Sequence, residues 1–249
     1  MHKRPYILSI AGFDPSGGAG VLADIKSFES LRCYGLAVNT ANTVQNDEEF
    51  KSCHWLTWEQ IKAQLDILLD RFSIHVVKIG IVENWSTLGK IIDHLQKKIS
   101  GVKIILDPIL KSSSNFEFHS PAQKELEALL SKIYLLTPNS LELKKLFPKL
   151  SEEEACKQIS KHCNLYLKGG HRESKIGKDE LLTVDGKHFS LNPKMKGISE
   201  KHGSGCVLSS SIAAHLALDY PLLKACFRAK RYTEKYLSSN PSLLGFHKL

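Results

Sequence analysis

A chain of 249 residues is long enough to bury a layered core without disulfides or metal. Its 42% apolar and 24% charged residues are ordinary for a soluble globular domain, and no stretch offers the ~18–20 apolar residues that a membrane span needs. The formal charge of +8 favours anionic partners, but lysines and arginines are spread along the chain without basic runs or interleaved aromatics, which favours phosphate-bearing small molecules over nucleic acid.

The first apolar run, PYILSIA, predicts a strand over 5–11. Gly12 and Asp14 interrupt it, no secretory cleavage signal follows, and the expected location is cytoplasmic. It leads into GFDPSGGAG at 12–20, a glycine turn opening a helix over 18–31. The turn contains neither GK[ST] nor GxGxxG, so it matches neither common phosphate-binding loop. Two readings stand: a tight strand-to-helix turn, or backbone N–H groups facing a small ligand with Asp24 one turn into the helix.

A second strand over 36–43 leads to Thr43-Val44-Gln45-Asn46-Asp47, and a helix over 58–71 follows. A third strand over 75–80 ends on Gly80 and precedes a helix over 84–98. The strand over 103–107 ends on Asp107 before a proline, a position that suits magnesium held through water. After a helix over 121–131, the strand over 133–137 delivers Thr137-Pro138-Asn139. Asn139 and Glu142, at the start of a helix over 140–147, fit a capping box or a carboxylate near metal. A helix over 152–162 and a strand over 164–168 bring Lys168 to a strand end, where it neutralises phosphate or simply snorkels. GGHRESKIGKDE reads as a flap, and Asp185-Gly186 marks a hairpin across 180–191.

HGSGC, at 202–206, opens a helix over 205–218, and a helix over 221–238 follows. Gly203 and Gly205 flank Ser204 at a helix start, where N–H groups and the helix dipole stabilise negative charge on a transferring phosphoryl group. Cys206 falls in the first turn, where a thiol's pKa is ordinarily lowered, and suits a base on a substrate hydroxyl. The competing reading is a buried cysteine packing as a small apolar residue. The six cysteines form no CxxC pair and the 11 histidines show no metal spacing, so most read as core thiols and surface residues.

Near-continuous apolar strands alternating with helices predict an α/β fold with one doubly wound, mostly parallel sheet, in a single domain over 1–249. Ligands in such sheets bind beyond the carboxyl ends of the strands, the edge on which these polar and glycine residues converge.

In order along 5–217, SIAGFDPSGGAGVLADIKSF, VQND, VKIG, LDPIL, LLTPNSLE, LKGGH and KHGSGCVLSSSIAA resemble one family, the hydroxymethylpyrimidine/phosphomethylpyrimidine kinases of thiamine biosynthesis. The resemblance implies the ribokinase-like three-layer α/β/α fold with a small β-hairpin or flap. It implies phosphorylation of the hydroxymethyl group of 4-amino-5-hydroxymethyl-2-methylpyrimidine, and then of its monophosphate, with ATP and magnesium. Gly12, Asp24 and Gln45 would face the pyrimidine, and Cys206 would be the base, with Gly203, Ser204 and Gly205 framing the anion hole. Asn139 and Lys168 would lie by the phosphates, Asp107 and Glu142 would organise magnesium, and 169–181 would form a covering flap. Relatives of this fold often dimerise, so a homodimer is expected.

Three places depart from the family pattern. Asn42 replaces a usual apolar residue, Ile81 stands where methionine often follows KIG, and Lys111-Ser112-Ser113-Ser114 lacks the glycine of KSG. The first two bear on ring selectivity and the third on the nucleotide loop. A cysteine-type pyridoxal or pyridoxine kinase and a non-catalytic pyrimidine-binding relative are the alternatives. Cys206, Asp107 and Lys168 together favour a kinase, since binding alone needs none of them.

Overall fold

In the computed structural model, which describes residues 4–110, 123–170, 176–195 and 197–247, the apolar runs pair in one nine-stranded sheet. Its strands are β1 (Tyr6–Phe13), β2 (Tyr34–Gln45), β3 (Phe50–Trp55), β4 (Ile74–Ile79), β5 (Lys103–Leu106), β6 (Leu135–Leu136), β7 (Asn164–Leu167), β8 (Asp179–Leu182) and β9 (His188–Leu191). The order is β3-β2-β1-β4-β5-β6-β7-β8-β9. Neighbours from β2 to β7 run parallel, while β3 at one edge and β8 and β9 at the other run antiparallel. The chain moves outward from β1 to β2 and returns past β1 to β4, so the order reverses at β1, where such sheets place ligands.

The first helices are α1 (Gly20–Ser30), α2 (Trp58–Leu69), α3 (Trp85–Lys98) and α4 (Gln123–Leu130). They are followed by α5 (Ser140–Leu146), α6 (Glu152–Ser160), α7 (Ser204–Ala217) and α8 (Leu222–Leu237). Helices α2 to α6 bury Leu65, Ile91, Leu126, Leu146 and Ile159 in one core, on one face of the sheet. Helices α1, α7 and α8 bury Phe28, Ile212 and Ala229 in a second core on the other face. The result is the three-layer α/β/α arrangement. Every residue of α7 from Cys206 to Leu216 is buried, as expected of a central helix built from small and apolar side chains. Beyond α8 the chain doubles back, and Leu243 O accepts the His202 N–H at 3.0 Å.

Strand β3 was not predicted from FKSCHW. It is a half-exposed edge strand, so no buried face imposes apolar alternation on it. Asn46 Oδ1 accepts the N–H groups of Glu48 and Glu49 and turns the chain into it, so Gln45 ends a strand instead of sitting in a loop. Residues 179–181, expected in the flap, belong to β8, paired with β7. The predicted hairpin turn forms, with Gly186 at φ +80°. Residues 111–114 and 171–175 lie outside the described residues. No helix among the described residues is long and apolar enough to cross a membrane.

Candidate functional site

Three strand ends assemble a charged cluster. The chain leaves β5 at Asp107 and β7 at Lys168, and Asn139, just after β6, forms an isolated parallel bridge with Lys168. Lys168 Nζ donates to Asp107 Oδ1 at 2.8 Å and lies 3.6 Å from Glu142 Oε2. It does not snorkel, because both carboxylates hold it inward. Asp107 is fully buried and also accepts from Ser209 Oγ at 3.1 Å and Thr137 Oγ1 at 3.3 Å.

Burial pushes the Asp107 carboxyl up, but Lys168 and Lys78 outweigh it and hold the group below the usual range. Burial raises Glu142 and Asp107 adds to that, against the pull of Lys168. Burial works against the Lys168 charge, yet Asp107 and Glu142 more than compensate and raise its pKa. Asn139 and Glu142 do form a capping box, with Asn139 Oδ1 accepting Glu142 N–H and Glu142 Oε2 accepting Asn139 N–H, both at 2.8 Å. The two readings of Glu142 therefore coexist, since the capping carboxylate also faces Lys168.

Among the described residues no three His, Cys, Asp or Glu side chains gather as a metal cage. Two carboxylates at this edge nevertheless suit magnesium, which keeps waters and takes phosphate oxygens beside one or two carboxylates. The cation they share here is the Lys168 ammonium.

Helix α7 opens over this cluster. Gly203, its N-cap, has φ +71°, and a Cβ there would stand 2.1 Å from Gly18 O, so only glycine lets the two turns pass. A Cβ at Gly205 would lie 3.4 Å from Lys168 Nζ and 3.9 Å from Asp107 Oδ2. Among the described residues no side chain caps α7; the Ser204 N–H donates to Lys201 O at 3.4 Å, while those of Gly205 and Cys206 point out of the helix start. Cys206 is buried, and its sulfur accepts the Gly20 N–H.

The expected lowering of this thiol is not found. Burial pushes it up to about 11, with Asp24 and Asp107 adding to the rise against Lys78 and the Gly20 N–H. A helix start lowers a thiol when little opposes it, whereas here desolvation and two carboxylates prevail.

The first glycine turn is filled by its own carboxylate. Asp14 accepts the N–H groups of Ser16 at 2.9 Å and Ala19 at 2.8 Å, and lies 2.8 Å from His202 Nε2. Burial pushes Asp14 up, but His202, Ser16 and Ala19 hold it below the usual carboxylate range. At Gly12 a Cβ would come 2.5 Å from Ile81 Cδ1, so the Ile81 side chain covers that glycine. At Gly20 a Cβ would stand 2.1 Å from Gly12 O, which joins Gly12 through Gly20 to Cys206.

Asp24 was expected against the ring, but the structure buries it completely. Its oxygens accept from Ser9 Oγ at 2.6 Å, Ser210 Oγ at 2.5 Å and Lys78 Nζ at 2.9 and 3.0 Å. A buried ammonium on the neighbouring strand draws the carboxylate inward. Gln45 is half-buried and donates to Thr43 Oγ1 at 2.9 Å, and that hydroxyl donates to Phe13 O at 2.8 Å. Asn42 is exposed and accepts from Asn39 at 2.8 Å.

Sequence reasoning missed Asp14, Lys78, His202 and Ser210. A lone lysine inside the apolar strand IHVVKI was a readable signal for Lys78. His202, grouped with the surface histidines, is buried against Asp14. A separate open cavity of about 380 Å³ lies between Trp55, Trp58, Glu83 and Lys90, but it contains none of these groups. The charged cluster lies at the strand ends.

Comparisons with known proteins bear on the family. The family model described as phosphomethylpyrimidine kinase matches residues 14–248. The hydroxymethylpyrimidine/phosphomethylpyrimidine kinase of Staphylococcus aureus (strain MRSA252) is 31% identical over 254 residues, spanning 98% of this chain and 91% of its own. The crystal structure of phosphomethylpyrimidine kinase from Clostridium difficile 630 superposes with a TM-score of 0.76 at 29% identity, over 92% of this chain and 98% of that one. The pyridoxal kinase of Staphylococcus aureus in complex with ADP superposes with a TM-score of 0.82 over 96% and 89% of the two chains, but at 22% identity this is a likeness of fold.

Proposed function

The chain belongs to the phosphomethylpyrimidine kinase family, and we propose that it transfers a phosphoryl group from ATP to 4-amino-5-hydroxymethyl-2-methylpyrimidine, and then to the monophosphate so formed. The observation that carries this reading is the uncapped start of α7 resting on Lys168 and Asp107, an anion-stabilising floor at the ends of the strands. Phosphoryl transfer asks mainly for positioning and charge stabilisation, and this floor supplies both.

The ring is placed between Gly12, Ile81 and Gln45, whose amide donates and accepts at once, as an aminopyrimidine edge requires. This sets the hydroxymethyl group towards Cys206. As thiolate, Cys206 takes the hydroxyl proton while the oxygen forms its bond to phosphorus and ADP leaves. Its pKa of about 11 leaves little thiolate at neutral pH, so kcat/KM for the pyrimidine rises with pH towards that value. Gly203, Ser204 and Gly205 frame the transferring phosphoryl group, with the Gly205 N–H directed at it, and Lys168 and Asn139 sit by the nucleotide phosphates. Asp107 and Glu142 are the residues to hold magnesium, which neutralises phosphate charge when bound with ATP.

This reading extends to a homodimer in the cytoplasm. Phe13 and Val44, 38% and 47% exposed at neighbouring strand ends, offer an apolar surface for a second copy, and all six cysteines are free thiols. Light scattering checks the dimer.

An ADP-release assay comparing the pyrimidine, its monophosphate, pyridoxal and pyridoxine tests the function. Release with the first two is expected. Release with pyridoxal or pyridoxine alone overturns the ring assignment, and no release with any of the four overturns the kinase reading.

A further inference from the structure

A lysine with no exposed surface stands one residue before the end of β4, in a run that is otherwise largely apolar. Lys78 pairs in register with Ser9 on β1 and Ile105 on β5. Its Nζ reaches both oxygens of Asp24 on α1, at 2.9 and 3.0 Å. The same carboxylate accepts from Ser9 Oγ and from Ser210 Oγ, and Ser210 lies one turn beyond Cys206 on α7. Room for the ammonium comes from Gly80, where a Cβ would stand 3.1 Å from Nζ.

A buried ion pair rarely stabilises a strand better than packed apolar residues of similar volume. This one ties β1, β4, α1 and α7 together directly behind the reacting thiol. We propose that Lys78 is a positioning residue for Cys206: clasped by Asp24, its ammonium fixes the first turns of α7 and keeps a positive charge behind the sulfur. The proposal rests on Cys206 being the base. Without Lys78 the thiol would face Asp24 and Asp107 with the Lys168 ammonium remaining beyond them, and with Tyr236 of α8 as the other titratable neighbour. Lys78 acts on the sulfur more strongly than Asp24, and in the opposite sense. The pair is therefore not electrically neutral from the position of the thiol.

The test follows the pH dependence of Cys206 carbamidomethylation by iodoacetamide, in which the thiolate displaces iodide, read on the Cys206 peptide in the full chain. Lys78→Met is expected to slow it about tenfold at fixed pH and Asp24→Asn to speed it, as a nearby charge does to a titrating neighbour. Equal rates in all variants, or shifts in the same direction, overturn the proposal. If a single variant fails to fold, the paired Lys78→Met/Asp24→Asn chain decides. It removes both charges, and its thiol is expected to react a few-fold more slowly than wild type, with a matching fall in kcat/KM and the rising pH limb displaced upward. A wild-type alkylation profile in that chain overturns the proposal, since a merely structural pair would leave the thiol unchanged. Cys206→Ala separates the two ideas. If it turns over at the wild-type rate, the base reading fails, while the alkylation profiles still report whether Lys78 acts on the sulfur.

Discussion

The two glycine turns of this molecule share composition and differ in what fills them. Each opens a helix, each carries a glycine at positive φ, and they touch, with Gly203 passing Gly18 where no Cβ fits. In the first turn the Asp14 carboxylate already accepts the Ser16 and Ala19 N–H groups, and Lys26 Nζ closes on Gly17 O at 2.7 Å. An anion is built in, and a phosphate would meet a negative charge. In the second turn no side chain caps α7, and the nearest charged group is an ammonium. Glycine richness gives a backbone the freedom to approach a ligand; the neighbouring side chains decide which ligand is welcome.

The comparison is broken most severely by removing the cation from the second turn. Lys168→Met is expected to lower kcat by roughly 10²–10³-fold, as loss of a transition-state charge partner does, and a wild-type kcat in the ADP-release assay would place the phosphoryl group elsewhere. Next comes the contact between the turns. Gly203→Ala forces a side chain into left-handed backbone, at about 1–2 kcal/mol, and against Gly18 O, so urea unfolding should show a loss of at least about 2 kcal/mol.

The first turn has a smaller and pH-dependent signature. Asp14→Ala should cost about 1–3 kcal/mol at neutral pH by leaving the Ser16 and Ala19 N–H groups unpaired. The folded pKa of Asp14 is depressed, so its stabilisation is complete above the unfolded value of about 3.9 and is lost as pH falls through the folded value. Urea curves of wild type and variant should then converge in acid, and a constant gap down to low pH contradicts this account. Gln45→Ala is the mildest probe. It should raise KM for the pyrimidine about tenfold, the worth of one hydrogen bond, and leave KM for ATP unchanged.

Much of the architecture was legible because burial on both faces writes itself as continuous apolar runs. KIIL and the run ending in Leu135 and Leu136 are strands, and the predicted helices recur within a few residues of their expected ends. FKSCHW was illegible because an edge strand has no buried face to impose a pattern. At the site, Lys168, Asp107, Glu142 and Asn139 were readable as polar residues ending strands, and they gather within one cluster. His202 was not, because nothing local distinguishes a histidine that meets Asp14 across 188 positions from one in solvent. The region after 220 carried no motif, yet α8 and the returning tail pack against α7 and the His202 backbone.

By itself the sequence determined the alternation of strands and helices, the glycines where backbones must pass, and which chemical groups end up at the carboxyl edge of the sheet. These depend on neighbours close along the chain, or on the presence of a residue type. Tertiary structure alone decided the sign and strength of the electrostatics: that Asp24 serves Lys78, that Asp14 fills the first turn, and that the Cys206 thiol is raised to about 11. The physical reason is that desolvation and Coulomb interaction depend on distance in space, and the charges that matter to Cys206 come from α1, β4 and the residue after β5.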